Sequence, residues 1–517
     1  MAQVFFTFIR GKFTIIIWDK STETLYGARD HFGIKPLFYY ESETTFIVSS
    51  NKNSINSLIE KTAIDVGALQ HYFSFQYVPE PLTMHKGILM VDPGTCFVKK
   101  ENEPVQFIKY WKTTFNPVHT TKDYWVDEIR NVLTENVFSR MENTEEIGSL
   151  LSGGIDSTIV VSLAKEMRPN LKTFSVGFEL DGFSEVELAK ETAHHLGVEN
   201  ISVCLTAEQY IEKFPEIIWN LEEPLADPSC VPLYFVMQEA SKHVKVVLSG
   251  EGSDELFGGY NIYREPSSLR MFHYLPKSIK GLLRLGAEAL PEHISGRSFL
   301  LRGTTPLKER YIGNAKIFEE EEKQHFLKYY DRNLSYQQIT EQYFKEVEED
   351  SFVSQMQHID INTWMRGDIL LKAEKMSKAN GIEVRMPFVD KTVYELACKI
   401  PDELKIANKT TKYILREASR GIIPEQVLHR KKLGFPVPIR HWLKRELNGW
   451  AKEVIRTSEV DEYIDKQFVL SLLQQHCEGK VDVSRKLWTI LTFIVWHQVF
   501  IEQKYHFQET KKLVLQS

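Results

Sequence analysis

Leu150-Leu151-Ser152-Gly153-Gly154-Ile155-Asp156-Ser157-Thr158 joins the end of an apolar run to a small-residue turn and then to the start of a helix. Ser152, Gly153 and Gly154 carry little bulk, so their amides can turn toward an anion while the following helix aims its N-terminal dipole at the same point. Such a turn grips pyrophosphate. A carboxylate at Asp156 would be repelled by phosphate unless a divalent cation lay between them, so magnesium bound to a nucleotide is the economical reading. Taken alone, the same residues also describe a serine-capped helix after a glycine turn.

The second stretch, Val246-Val247-Leu248-Ser249-Gly250-Glu251-Gly252-Ser253-Asp254-Glu255-Leu256-Phe257-Gly258-Gly259-Tyr260, is another apolar strand ending in a small-residue turn. Two such turns would face one crevice. Carboxylates among glycines are costly to gather unless cations or proton transfer require them. Asp254 therefore reads as a second metal ligand beside Asp156, and Glu251 as a catalytic acid or base; the plainer reading is the acidic first turn of a solvated helix. A GxGxxG fingerprint is ruled out by Glu255, and no GxxxxGK[ST] pattern occurs. A third cluster, Arg430-Lys431-Lys432-Leu433-Gly434-Phe435-Pro436-Val437-Pro438, sets a basic triplet before a glycine and two prolines. It reads as a loop able to neutralise a departing pyrophosphate, or as a solvated basic loop.

The chain has 517 residues, 43% hydrophobic and 26% charged, enough for at least two cores. A net charge of −7 argues against nucleic acid as a partner. The five cysteines are scattered, with no CxxC pair and no metal-ligand spacing, which fits a reducing cytoplasm. Arg10, Lys12 and Asp19 interrupt the apolar N-terminus, and Ile490 to Ile501 is short and contains His497 and Gln498, so neither a signal peptide nor a membrane span is expected. Short β-rich runs before Pro117 suit an antiparallel sheet. After it, strand candidates at 172–178, 200–205 and 244–249 alternate with helical stretches, as in a parallel sheet with its ligand at the carboxyl ends. Beyond about residue 265 the pattern is mostly helical.

From about residue 10 to 500 the chain resembles the asparagine synthetase family of ATP-pyrophosphatase-fold amidoligases, most nearly the Bacillus sporulation type. The resemblance rests on SGGIDST at 152–158, TFSVGF at 173–178, SGEGSDELFGGY at 249–260, KMSKANGIEVRMPFVD at 375–390, TKYILREA at 411–418 and RKKLGFPVPIRHWL at 430–443, in family order and spacing. It implies an α/β fold: a PP-loop parallel-sheet domain with a helical C-terminal region over 117–517, preceded over 1–116 by part of an Ntn-hydrolase α+β sandwich. It also implies that aspartate attacks the α-phosphorus of ATP to give β-aspartyl-AMP and pyrophosphate, and that ammonia then displaces AMP. On matching positions, residues 152–157 hold pyrophosphate, with Ser152, Gly153, Gly154, Asp156 and Ser157 on the ATP. Leu151, Val176, Ser249 and Gly250 line the nucleotide pocket. Asp156 and Asp254 bind magnesium, Glu251 deprotonates ammonia, Lys432 stabilises pyrophosphate, and Glu185 corresponds to a further metal-side carboxylate. A cytoplasmic location and a homodimer are compatible with the family.

One departure separates this sequence from the family pattern. Relatives carry a glutaminase domain whose first mature residue is a nucleophilic cysteine using its own α-amine as base. Here the sequence opens Met1-Ala2-Gln3-Val4, its first thiol is Cys96, and the part from Arg10 to Leu37 resembles only the second half of that domain. The expectation is a glutaminase half without its nucleophile, with exposed sheet edges. Three alternatives follow: a synthetase fed by ammonia; one that keeps glutamine dependence through a separately encoded fragment or a start site placed too far downstream; and an inactive remnant acting as an interaction module. Amidation or cyclisation of another carboxylate is a fourth.

Overall fold

Apolar β-branched runs closed by small-residue turns set two different kinds of sheet in this protein. The computed structural model describes residues 2–59, 63–180, 182–291, 294–430, 434 and 436–507. In the N-terminal part, β1 (Thr14–Asp19), β2 (Thr24–Arg29), β6 (Thr95–Lys100) and β7 (Gln106–Lys109) form an antiparallel sheet in the order β1-β2-β6-β7. A second antiparallel sheet runs β4 (Phe46–Ser49), β3 (Phe38–Glu41), β5 (Ile88–Met90). The first hairpin turns where Asp19 accepts hydrogen bonds from the Ser21 amide (2.9 Å) and the Thr22 hydroxyl (2.8 Å). As an edge strand, β1 leaves Ile16, Ile17 and Trp18 exposed.

The larger part is built on a parallel sheet of β8 (Ile147–Leu150), β9 (Lys172–Phe178), β10 (Glu199–Leu205), β11 (Val246–Leu248) and β12 (Glu383–Arg385), in the order β10-β9-β8-β11-β12. The chain steps from β8 outward to β9 and β10, then returns to the other side of β8 for β11. That reversal opens a crevice between β8 and β11 at their carboxyl ends, the place where open α/β sheets hold ligands. Because Leu248 pairs in register with Ser149, the turns that follow both strands emerge side by side.

A further core forms around a buried C-terminal helix. Ser484–Phe500 is buried nearly all round, with Trp488 and Trp496 at 1% and 0% exposure. Against it lies the helix Val66–Phe75 from the N-terminal part: the Tyr72 hydroxyl donates to the Thr489 carbonyl (2.7 Å), and Phe73 packs edge-on against Phe326 and Phe493. Each such buried ring contributes about 1.5–3 kcal/mol relative to exposure. Arg10 and Arg140 both reach Asp390, at 3.0 and 2.8 Å, and Lys375 pairs with Glu222 at 2.8 Å. Among the described residues, no helix is long and apolar enough to cross a membrane.

The helix Phe352–Asn362 braces the second turn, since Gln357 donates to the carbonyls of Glu255 (2.6 Å) and Leu256 (3.0 Å). On the same helix Asp360 is fully buried and accepts hydrogen bonds from the Tyr263 and Tyr311 hydroxyls, both at 2.5 Å. Burial pushes its carboxyl up to about 7, although the two hydroxyls work the other way. The folded protein therefore holds a proton that the unfolded chain releases near pH 3.8, so this contribution is full below that value and is lost as pH rises to about 7. In thermal unfolding from pH 4 to pH 8, Asp360→Asn is expected to gain on the wild type by up to ~1.4 kcal/mol per pH unit through this window and to plateau above it. Parallel pH profiles would remove Asp360 as the cause.

Candidate active site

The turn after β8 is shaped by its own small side chains. Gly153 adopts φ +77°, the left-handed region, and Ser152 Oγ accepts from the Gly154 amide at 3.2 Å. The helix Ile155–Met167 then begins, with Thr158 Oγ1 donating to the Gly154 carbonyl at 2.6 Å. The turn after β11 meets it at van der Waals range: a Cβ added to Gly250 would stand 2.9 Å from the Asp156 carbonyl carbon and the Ser157 nitrogen. Only glycine lets the two backbones approach this closely.

A cavity of about 260 Å³ opens beside these turns, lined by Leu151, Ser152, Asp156, Ser157, Val176, Ser249, Gly250, Glu251 and Asp254. These nine positions from the sequence reading thus converge on one crevice. Leu150, Phe174, Leu233 and Val236 give its apolar side. An adjoining cavity of about 270 Å³ shares Ser152, Asp156, Glu251 and Asp254, and adds Gly153 and Gly154. Glu185, immediately ahead of the helix Val186–Leu196, lines both. Lys432 lies outside the described residues.

The decisive group was missed by the sequence reading. Lys412 is 3% exposed, and its ammonium sits 2.5 Å from Asp156 Oδ1 and 2.8 Å from Asp254 Oδ1. Burial alone would lower its pKa, but the two carboxylates outweigh it and raise the value. Ser253 Oγ donates to Asp156 Oδ1 at 2.8 Å, and Arg430 Nη1 donates to the Gly153 carbonyl at 2.6 Å. Lys412 stands in the stretch TKYILREA at 411–418, which carries the family resemblance but was given no role. A second signal was chemical, since two carboxylates drawn to one crevice require a cation between them. A second buried cation, Lys372, lines the first cavity and is held by Asp227 and by Asp368 at 3.0 Å. Desolvation opposes its charge, and those two acids prevail.

The donor set fits a magnesium nucleotide. Asp156 and Asp254 already converge on a point occupied by positive charge. Among the described residues, no group of three or more His, Cys, Asp and Glu forms an all-protein metal cage. Magnesium needs none, because it is commonly held by one or two carboxylates plus substrate phosphates and water.

An open parallel sheet reversing its order beside a serine-glycine anion turn, with paired carboxylates in the crevice, defines the PP-loop ATP-pyrophosphatase class. The asparagine synthase family matches residues 128–498, and a glutamine amidotransferase domain matches residues 3–111. The chain is 53% identical over 497 residues to asparagine synthetase [glutamine-hydrolyzing] 1 of Bacillus subtilis, covering 96% of this chain and 79% of that protein. It is 44% identical over 504 residues to a Mycobacterium tuberculosis protein named as a glutamine-hydrolysing asparagine synthetase, covering 96% and 77%. Amidase chry2 of Gibberella zeae is 24% identical over 547 residues. The protein belongs to the asparagine synthetase family and is an ATP-using carbon–nitrogen ligase of that type.

Two substitutions test the geometry. Gly250→Ala is expected to force the turns apart and weaken magnesium-ATP binding at least tenfold by calorimetry, with an unchanged circular dichroism spectrum; wild-type affinity would show that the close approach is dispensable. Lys412→Met removes the buried ammonium that Asp156 and Asp254 share, which should cost about 3–5 kcal/mol of stability in metal-free buffer. Millimolar magnesium should recover part of that loss in thermal melts, whereas no recovery would contradict a shared cation site.

Proposed function

We propose that the protein makes asparagine from aspartate and ATP, through β-aspartyl-AMP, with ammonia as the nitrogen donor. The observation that carries this reading is the convergence of Asp156 and Asp254 on one cation between an apolar cavity and a serine-glycine anion turn. The adenosine end of ATP lies along Leu151 and Val176, and Ser249 and Gly250 close the pocket between the two turns. The phosphates meet Ser152, Gly153, Gly154 and Ser157 at the N-terminus of the helix that begins at Ile155. Asp156 and Asp254 hold magnesium, which supplies charge neutralisation on the phosphates. Lys432 is retained as a pyrophosphate-stabilising group by family likeness.

An oxygen of the aspartate β-carboxylate forms a bond to the α-phosphorus, and the bond to pyrophosphate breaks with pyrophosphate leaving. The ammonia nitrogen then bonds to the acyl carbon, AMP departs, and Glu251 accepts the proton that the new amide sheds. Glu251 lines both cavities beside the carboxylate pair, within the space where the acyl adenylate would form. In this division of labour residues 117–517 carry ligation, and residues 1–116 form an amidotransferase-type lobe. The reaction suits a cytoplasmic enzyme, alone or as a homodimer.

Three of the five cysteines, Cys96, Cys230 and Cys398, are buried. Cys96 is buried in β6, donates to the Ile108 carbonyl, and has its pKa raised by burial. Burial raises Cys230 well above the usual range and pushes Cys398 up to about 12. Those three are poor nucleophiles. Purified protein given ATP, magnesium and aspartate should form asparagine, AMP and pyrophosphate in equal amounts with ammonium, and little asparagine with glutamine alone. Efficient glutamine use would reject the assignment of donor, and absence of AMP with either nitrogen source would reject aspartate as the acceptor. Glu251→Gln should keep aspartate-dependent ATP–pyrophosphate exchange while asparagine formation drops ~10²–10⁴-fold; equal loss of both would assign Glu251 to the first step.

A further inference from the structure

A third cavity, about 660 Å³, lies beyond the anion turn and is lined by Arg264, Lys409, Arg416, Arg420 and Arg430, with Glu417 as its carboxylate. It is continuous with the cradle, since Thr411, Arg416 and Arg430 line both. It shares no lining residue with the apolar cavity. The three spaces are therefore arranged in series: apolar, then acidic and metal-binding in character, then basic.

The basic charge of the outer groove is only partly neutralised from within. Glu417 is already engaged by Lys122 and Arg420, each at 2.9 Å, while Arg420 also pairs with Glu425 at 3.2 Å and Arg430 with Glu191 at 3.3 Å. Arg416 donates to the carbonyls of Thr411 (3.0 Å) and Leu428, which hold the guanidinium in place without cancelling its charge. Among the described residues that line the groove, Glu417 is the sole carboxylate, against Arg264, Lys409, Arg416, Arg420 and Arg430. Lys409 is delivered by a tight hairpin in which Ala407 and Thr410 exchange backbone hydrogen bonds of 3.2 and 2.7 Å. Both central residues are left-handed, Asn408 at φ 51° and Lys409 at φ 59°. Such a turn favours Asn-Gly, so a lysine at its second position is conformationally unfavourable and gains its side chain's reach over the groove.

We propose that this groove is a second anion site that receives pyrophosphate as it leaves the cradle. The inference rests on the reading of the cradle as a nucleotide site and adds the direction in which its product departs. Pyrophosphate is compact and multiply charged, so it matches several guanidinium and ammonium groups around one open space, where forked arginine donors can take two oxygens each. An anion leaving Asp156, Asp254 and Lys412 in this direction passes the Arg416 and Arg430 walls before reaching Arg264 and Lys409.

The test is the stoichiometry of inorganic pyrophosphate binding, measured by equilibrium dialysis of the full chain with magnesium. Two equivalents are expected for the wild type. A non-hydrolysable ATP analogue should displace one and leave the other. In Arg264→Ser/Lys409→Ser the analogue-resistant equivalent should weaken at least tenfold, while analogue binding shows that the cradle is still folded; Arg264→Lys/Lys409→Arg should restore it. A single equivalent fully displaced by the analogue, or an unaltered second equivalent in the double serine variant, would overturn the proposal. Orthophosphate or AMP binding there as tightly as pyrophosphate would overturn its assignment to this product. None of these readings needs aspartate or turnover, so a wrong acceptor leaves them intact, and failure of the analogue to bind would instead count against the nucleotide cradle and the outer site together.

Discussion

The placement of one ammonium between two carboxylates governs the centre of this enzyme. β8 and β11 lie side by side, and each ends in a turn followed by a helix that carries an acid in its first turn. Asp156 and Asp254 are thus forced toward one another by the sheet itself. Lys412, buried and with its backbone at φ 54° ahead of the helix Tyr413–Ala418, resolves the repulsion. The desolvation of such a triad offsets much of its attraction, so its main effect is on specificity: the two turns have one favourable spacing. The brace from Gln357 and the hydrogen bond from the Tyr260 hydroxyl to Glu255 (2.5 Å) hold the acidic turn from behind.

Under the proposed function, the electrostatic layout would also orient the nucleotide. Leu150, Phe174 and Val236 offer no partner for charge, whereas the opposite end meets amides, carboxylates able to share a cation, and then arginines. A nucleotide placed backward would set its phosphates among Leu150, Phe174 and Val236, away from the amides of the serine-glycine turn. In that reading the hydrocarbon walls suit the base and the serine-glycine turn suits the phosphates.

Features set by neighbours in sequence were legible in it. The strand 172–178 was read at its observed limits, and the two small-residue turns were read as facing one crevice because each carries its own reason, an apolar strand end followed by glycines and a helix start. What could not be read depends on contacts far along the chain. Lys412 is 256 residues from Asp156, and Lys372 is 145 from Asp227. Nothing in the helical period of residues 66–75 told that Tyr72 and Phe73 would pack against a helix more than 400 residues later. Short-range chemistry wrote the motifs, and long-range packing chose their partners.

That last contact gives the N-terminal lobe a second role. Whatever its catalytic standing, the lobe contributes a wall of the ligase interior, because Leu69, Tyr72, Phe73 and Phe75 belong to the same buried cluster as Trp488, Phe493 and Trp496. A lobe anchored in this way cannot be shed in evolution or trimmed by an engineer without exposing aromatic surface and loosening the neighbouring half. Its persistence would then be a matter of architecture, independent of the source of the nitrogen.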